Sequence, residues 1–569
     1  MAYDFRDLRS KKWFFGPEYY NFARRTYLRA EGFNHDIFEN KPVIGICNSW
    51  SELNPCNSHL REVAEAVKRG VWAAGGVPLE FPVMSLGETF MRPTTMLFRN
   101  LMAMEVEESI RANPLDGVVL LSGCDKTTPA MLMGAISADV PAILVPGGPM
   151  VSGRWRGRII GNGTDGRKLF DQYRAGTLSD EELCEIEGCV ARSAGHCNVM
   201  GTASTMALIA EAMGMTLPGA AAIPAPDARR RGLAESTGHR IVEMVAEGLR
   251  PCRILTRSAL ENAITACVAL GGSTNAVVHL LAIAGRLGIP LSLDDFDRIS
   301  RKVPWLVNVK PSGSHLMEEF FYAGGLPALL RSLMPLLDTS CLTVNGKTLE
   351  QNVGEAECHN EDVIRPLERP MHPESGLAVL RGNICPNGAV IKPTAASAEL
   401  MQHRGKAYVF ENHEQMEAEM DKDYLPIDRN TVLVMKHCGP HGGPGFPEWG
   451  WIPIPRMLLK QGVTDVVRVS DARMSGTSFG TVVLHVAPES AIGGPLALVQ
   501  TGDEVVLDVP SRSLNLNVPD AELAARRANW TQPAPRYQSG YGWLFLQHVT
   551  QADKGCDFDF LAARRSSDV

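Results

Sequence analysis

Short apolar runs alternate with helical periodicity over residues 1–150. Residues 41–47 (KPVIGIC) read as a buried strand, and residues 57–74 then place Leu60, Val63, Ala64, Val67 and Val71 on one helical face. Residues 79–84 are a weaker strand. Pro93 opens a helix through Met96, Leu97, Leu101, Met104 and Ile110, and residues 117–122 (GVVLLS) form another strand. A helix around residues 130–138 leads to the apolar run 142–146. Strands separated by helices predict βαβ units and a largely parallel sheet.

Residues 180–300 keep helical periodicity, with long Ala/Leu/Met-rich stretches at 202–214 and 258–287 that would cover the sheet. After a Pro- and Glu-rich region at 350–375 the texture changes. AVLRGN, GAVIKP, AYVFEN, TVLVMK, DVVRVS, TVVLHV, EVVLDV and LNLNV are short β-rich runs separated by turn residues. The predicted fold class is α/β in two domains. Residues 1–377 carry a largely parallel sheet flanked by helices, and residues 378–569 form a β-rich, barrel-like unit.

Composition fits a compact fold. Of 569 residues, 45% are hydrophobic and 21% charged, enough apolar surface for a large core. The formal charge of -8, without a Lys/Arg block, gives no attraction to nucleic acid or anionic membrane, so a small-molecule partner is expected. The charged N-terminal residues do not form a secretion signal and no run approaches 18 apolar residues, which predicts a cytoplasmic protein. The 13 cysteines are scattered, with no CxxC, as expected of reduced thiols. Zinc ribbons and thioredoxin-type sites lack their signature, so any cluster must be assembled from distant cysteines.

Two short motifs are set aside. Gly161-Asn-Gly163-Thr-Asp-Gly166 matches GxGxxG, but the charged GRWRGRII before it does not read as a strand, and a surface loop is expected instead of an NAD site. Gly476-Thr-Ser478-Phe-Gly480 matches GxSxG, yet a strand-like run follows where a hydrolase nucleophile needs a helix. His437 and His441 are four apart, but the intervening Gly-Pro forbids a zinc-binding helix. Three cysteines stand out by position. Cys56 follows a predicted strand, Cys124 ends GVVLLS, and Cys197 precedes a helix, each in a polar loop near a helix start where a thiolate is favoured.

The phrases GICNSWSELNPCNSHL, SLGETFMRP, SGCDKTTPAMLMGA, GHCNVMGTASTM, LGGSTNAVVHLLAIA, GNICPNGAVIKP, GGPGFPEW and SDARMSGTSFG occur in this order over most of the chain. Together they strongly resemble the dihydroxy-acid and sugar-acid dehydratase family, which includes 6-phosphogluconate dehydratase. The resemblance implies an active site between an α/β domain and a barrel-like domain, in a homodimer or homotetramer. It also implies an iron–sulfur cluster on Cys56, Cys124 and Cys197, with [2Fe–2S] favoured over [4Fe–4S]. A magnesium ion would be held by Glu88, Asp125, Glu448 and a carbamylated Lys126. Ser475 would act as an alkoxide base on C2, assisted by Thr477.

Such chemistry is consistent with the residue types. Loss of hydroxide from C3 and of a weakly acidic proton from C2 both call for Lewis acids, and a cluster with three protein thiolates leaves one iron free for substrate. Read without the resemblance, Asp125 and Lys126 would cap the next helix and face solvent, Ser475 would be a turn serine, and His196 a structural hydrogen-bonder beside Cys197. Cys385 departs from the small residue usual in its motif and reads as packing. SLGETFMRPTTMLFRNLMAMEVEE and SDARMSGTSFGT look closer to the arabinonate and xylonate branch than to the branch acting on 2,3-dihydroxyisovalerate. A dihydroxy acid of the aldonate type is the expected substrate.

Overall fold

The computed structural model describes residues 8–38, 40–373 and 376–562. Its first sheet has four parallel strands, β1 (Val43–Asn48), β2 (Val77–Pro82), β3 (Gly117–Ser122) and β4 (Ala142–Pro146), in the order β2-β1-β3-β4. Every residue of β1, β3 and β4 is buried, which is why these strands read as continuous apolar runs. A short hairpin, β5 (Gly153–Trp155) and β6 (Arg158–Ile160), follows.

The principal helices are α1 (Leu60–Ala73), α2 (Arg99–Ala112), α3 (Thr127–Ala138), α4 (Thr164–Arg174), α5 (Thr202–Ala212), α6 (Ala228–Glu247), α7 (Arg257–Ala269), α8 (Asn275–Leu287) and α9 (Gly540–His548). Helices α1 and α6 pack together against the sheet, and α2 packs on α3. α3 and α5 are apolar on all sides and buried along nearly their whole length, as interior helices must be. Two expectations shift. The helix expected from Pro93 begins at Arg99, because Thr94 accepts from Met96 N and caps a 3₁₀ turn, Thr95–Phe98, first. The helical stretch 258–287 is two helices, parted at Gly271, whose φ of +60° ends the first.

The second sheet has eight strands in the order β14-β13-β9-β10-β11-β12-β8-β7. They are β7 (Ala378–Leu380), β8 (Gly388–Ile391), β9 (Gln402–Phe410), β10 (Val432–Met435), β11 (Arg468–Ser470), β12 (Val482–Ala487), β13 (Glu504–Asp508) and β14 (Ser513–Leu516), one for each β-rich run. β9 to β12 pair in parallel; the outer pairs are antiparallel. Beyond β7, Arg381 bridges Ser513 at the start of β14, with Arg381 N donating to Arg512 O (2.9 Å) and Leu514 N to Arg381 O (2.9 Å). The two outer strands thus meet, and the sheet is a nearly closed barrel.

The two regions share interior. The main apolar cluster runs from Ile44 to Val363 and takes in Val379, Val390, Met474, Val482 and Leu484 from the barrel side. Near the other end of the chain, Phe545 of α9 and Phe558 pack on Met96, Leu97 and Val278. The buried Arg99 guanidinium donates to Gly555 O (3.0 Å) and Cys556 O (2.8 Å). Among the described residues no helix is long and apolar enough to cross a membrane.

Candidate active site

In the first sheet the strand order reverses between β1 and β3, and the crevice beyond the carboxyl ends of such strands is where open α/β sheets bind ligands. Cys56 lies in the turns between β1 and α1, Glu88 in the loop after β2, and Cys124, Asp125 and Lys126 between β3 and α3. Cys197 follows His196, which bridges Pro149 just beyond β4. From the barrel come Glu448, between β10 and β11, and Ser475 and Thr477, between β11 and β12. These too follow the carboxyl ends of parallel strands.

The carboxylates converge on one amine. Lys126 is fully buried, and its Nζ lies 2.9 Å from Glu448 Oε1, 3.3 Å from Asp125 Oδ2 and 3.5 Å from Glu88 Oε2. It therefore does not face solvent as a helix cap would, and its side chain makes no cap hydrogen bond. Burial alone would lower its pKa, but Glu448 and Glu88 overcome that and hold it above the ordinary lysine value. Burial would likewise raise the Glu448 carboxyl, but Lys126 and Arg473 hold it at about 2. Asp125 is pushed up by burial.

The pattern of the sequence gave no sign of the residues that fix these carboxylates. Arg473 Nη1 donates to Glu448 Oε1 (3.0 Å), while its Nη2 donates to Thr94 Oγ1 (3.2 Å), which in turn donates to Glu88 Oε1 (2.9 Å). Thr95 holds the other Glu88 oxygen through its backbone N–H (3.2 Å) and its hydroxyl. Asn275 Nδ2 reaches Glu448 Oε1 (3.0 Å), Thr202 Oγ1 (3.0 Å) and Met474 O (3.1 Å). Asn275 opens α8 and Arg473 precedes Met474 in the SDARMSG phrase; a buried polar side chain in a recurring phrase was the available signal.

The thiols gather beside this group. Cys56 and Cys124 hydrogen-bond to each other, and Cys197 lies within electrostatic range of both. The Cys56 loop can approach Cys124 because residue 123 is glycine. A Cβ there would lie 2.7 Å from both Cys56 O and Asn57 Oδ1. At Cys56 and Cys197 the surroundings run against the expected thiolate. The Cys56 thiol is pushed well up by its hydrogen bond to Cys124 and by burial, and burial pushes Cys197 up to about 12. His196 is held neutral by burial at about 3, its Nδ1 3.1 Å from Cys197 O.

Among the described residues no three His, Cys, Asp or Glu side chains stand ready to hold a single metal ion. Lys126 Nζ stands among the carboxylates, and as an ammonium it keeps a cation from their centre. The donor types nevertheless fit two different centres, soft sulfur from three thiols and hard oxygen from three carboxylates. Asn54 Oδ1, Asn57 Oδ1 and His196 Nε2 are buried near the thiols without a hydrogen-bond partner.

Ser475 Oγ lies 3.0 Å from Thr477 Oγ1. The GxGxxG segment is not a surface loop. It follows the strand β6 and opens α4, and Gly161 is buried. Its charged residues hid the strand, and β6 pairs only with β5 in an antiparallel hairpin, not the parallel sheet a dinucleotide site needs. Ser478 of the GxSxG segment is fully buried and strand β12 follows, so no exposed nucleophile exists there. His441 is turned to Glu489, with Nδ1 to Oε1 at 2.9 Å, and Cys385 is buried in the barrel core.

A cavity of about 720 Å³ opens beside Glu448 and is lined by Asn162, Arg167, His413, Trp449 and Trp451 among others. It has room for a small organic acid with a polar tail.

The sequence is similar to known proteins over nearly its whole length. The family described as "Dihydroxy-acid/6-phosphogluconate dehydratase N-terminal" matches residues 41–352, and its "C-terminal" counterpart matches residues 362–556. The chain is 54% identical to an L-arabonate dehydratase of Azospirillum brasilense and 53% identical to an L-arabinonate dehydratase of Rhizobium leguminosarum bv. trifolii, each over 99% of this chain and 98% of the relative. It is 50% identical to a 6-deoxy-6-sulfo-D-gluconate dehydratase of Pseudomonas putida, over 98% of this chain and 97% of that protein. Buried carboxylates around Lys126, clustered thiols and matches spanning both regions lead to one assignment: the chain belongs to the dihydroxy-acid/6-phosphogluconate dehydratase family and is a hydro-lyase.

Proposed function

We propose that the protein removes water from a 2,3-dihydroxy acid of the aldonate type, giving a 2-oxo-3-deoxy acid. The observation that carries this reading is the convergence of Glu88, Asp125 and Glu448 on buried Lys126 beside Cys56, Cys124 and Cys197. The three cysteines would hold an iron–sulfur cluster, [2Fe–2S] by preference. The three carboxylates, with Lys126 as its carbamate, would hold magnesium. When bound, these groups supply Lewis acidity, easing departure of the C3 hydroxyl and offsetting charge at the acid end.

The chain's own residues do the rest. Ser475, as its alkoxide, takes the C2 proton; hydroxide leaves C3 and is released as water on protonation, and the resulting enol tautomerises to the 2-oxo acid. Arg473 and Asn275 fix Glu448, so that the acid end meets a set of donors already in place. The similarity to arabonate and sulfogluconate dehydratases supports an aldonate over a branched hydrocarbon tail.

The test is a panel of aldonates and 2,3-dihydroxyisovalerate, assayed for 2-oxo acid with anaerobically reconstituted enzyme and magnesium. Aldonate turnover should exceed turnover of 2,3-dihydroxyisovalerate; the reverse order overturns the substrate class. Replacement S475A should abolish turnover and keep the cluster's absorption, and retained turnover would remove the base role.

A further inference from the structure

The Gly161–Arg167 turn joins two parts of the site that the reaction must keep in register. Toward the thiols, Asn162 N donates to Asn198 Oδ1 (2.8 Å), and Asn162 Oδ1 lies 3.9 Å from Cys197 Sγ. Toward the hydroxyl pair, Gly163 lies so close to Thr477 that a Cβ would stand 2.5 Å from Thr477 Oγ1, and its φ of +81° suits glycine alone. Thr164 Oγ1 donates to Thr477 O (2.8 Å). The last residue of the turn, Arg167, donates from Nη1 to Thr477 Oγ1 (3.3 Å), with its guanidinium 5.2 Å above the Trp451 ring.

Arg167 is half-buried beside the cavity and, among the described residues, forms no ion pair with a carboxylate. Burial is costly to a guanidinium, and Arg167 is offset only at a distance, by Glu448 first and also by Asp171. Among the described residues its side chain hydrogen-bonds to Thr477, whose hydroxyl pairs in turn with Ser475 Oγ. When Ser475 is deprotonated, Thr477 must be the donor in that pair. Arg167, as donor to Thr477, then polarises that hydroxyl toward the alkoxide.

We infer that Arg167 is a positioning residue for the Ser475 base, acting through Thr477, and that the Gly161–Arg167 turn is an active-site element. This rests on the dehydratase reading above. Replacement R167M keeps an unbranched stem and removes the charge and donors. It should lower kcat about 100-fold, the scale of a misplaced reacting group, with little change in KM. Calorimetric binding of an aldonate to S475A and to S475A/R167M should be equal.

Added guanidinium ion should restore part of the activity of R167A, which mere unfolding would not allow. The second variant, G163A, presses a methyl group against Thr477 and should lower kcat with the iron content unchanged. A raised KM with intact kcat, or weaker binding to S475A/R167M, would make Arg167 a substrate ligand and overturn the inference. Unchanged R167M kinetics would overturn it alone, whereas a wild type that dehydrates no dihydroxy acid would overturn the functional reading with it.

Discussion

At Lys126 the amine must lose its proton before it can take up carbon dioxide, and three carboxylates oppose that loss. Once formed, a carbamate would put four anionic groups in one buried space, which a divalent cation would offset. Uptake of carbon dioxide and of magnesium is therefore expected to be cooperative. With labelled bicarbonate, a carbamate carbon resonance should appear only when magnesium is also present, and should vanish in K126A. Arg473 holds Glu448 directly and Glu88 through Thr94, so R473M leaves buried carboxylates short of a cation. A loss of about 3–5 kcal/mol in urea unfolding is expected.

His485 gives the pH dependence. It is buried against Phe446, its Nε2 has no hydrogen-bond partner, and burial first, then Arg473, lowers its pKa from 6.5 to about 3. The unfolded chain takes up a proton below 6.5 that the folded chain refuses until about 3, so stability falls as pH drops through that window. Its full contribution is on the order of 5 kcal/mol. Replacement H485N keeps a residue tolerant of the φ of +56° and should flatten the decline in Tm between those limits.

Among the elements, those read most readily from the sequence were buried strands, because a parallel strand covered on both faces is one apolar run. After residue 378, β7, β8, β10, β11 and β12 are likewise buried throughout, whereas β13 and β14 show the alternation of half-covered strands. Elements governed by polar contacts were misread. Thr94 delays α2 by capping a 3₁₀ turn, and β6 is hidden by its own Arg158 and by the charges around it. The roles of Asn275 and Arg473 were illegible because a polar side chain is buried only when distant partners satisfy it. Gly123 lets the loops after β1 and β3 touch, so G123A should separate Cys56 from Cys124. Reconstituted G123A should bind less iron than wild type, at a stability cost of about 1–3 kcal/mol.

On the scale of the whole molecule, the barrel and the parallel sheet aim the carboxyl ends of their strands at the same space, so neither region alone holds the complete carboxylate group. α9 and Phe558 complete the packing around Met96 and Leu97, beside the Thr94–Thr95 pair that holds Glu88. Truncation before Gly540 should expose that apolar cluster, raise binding of a hydrophobic dye and abolish activity.

The hydrogen bonds from Arg99 to Gly555 and Cys556 also set an order of events during synthesis. The β1–β4 region emerges from the ribosome long before residues 555 and 556 exist, and until then the Arg99 guanidinium lacks its carbonyl acceptors. A nascent chain can therefore carry every proposed metal ligand and still have an unfinished floor beneath Glu88. Completion of the packing around Arg99 is tied to the completion of translation.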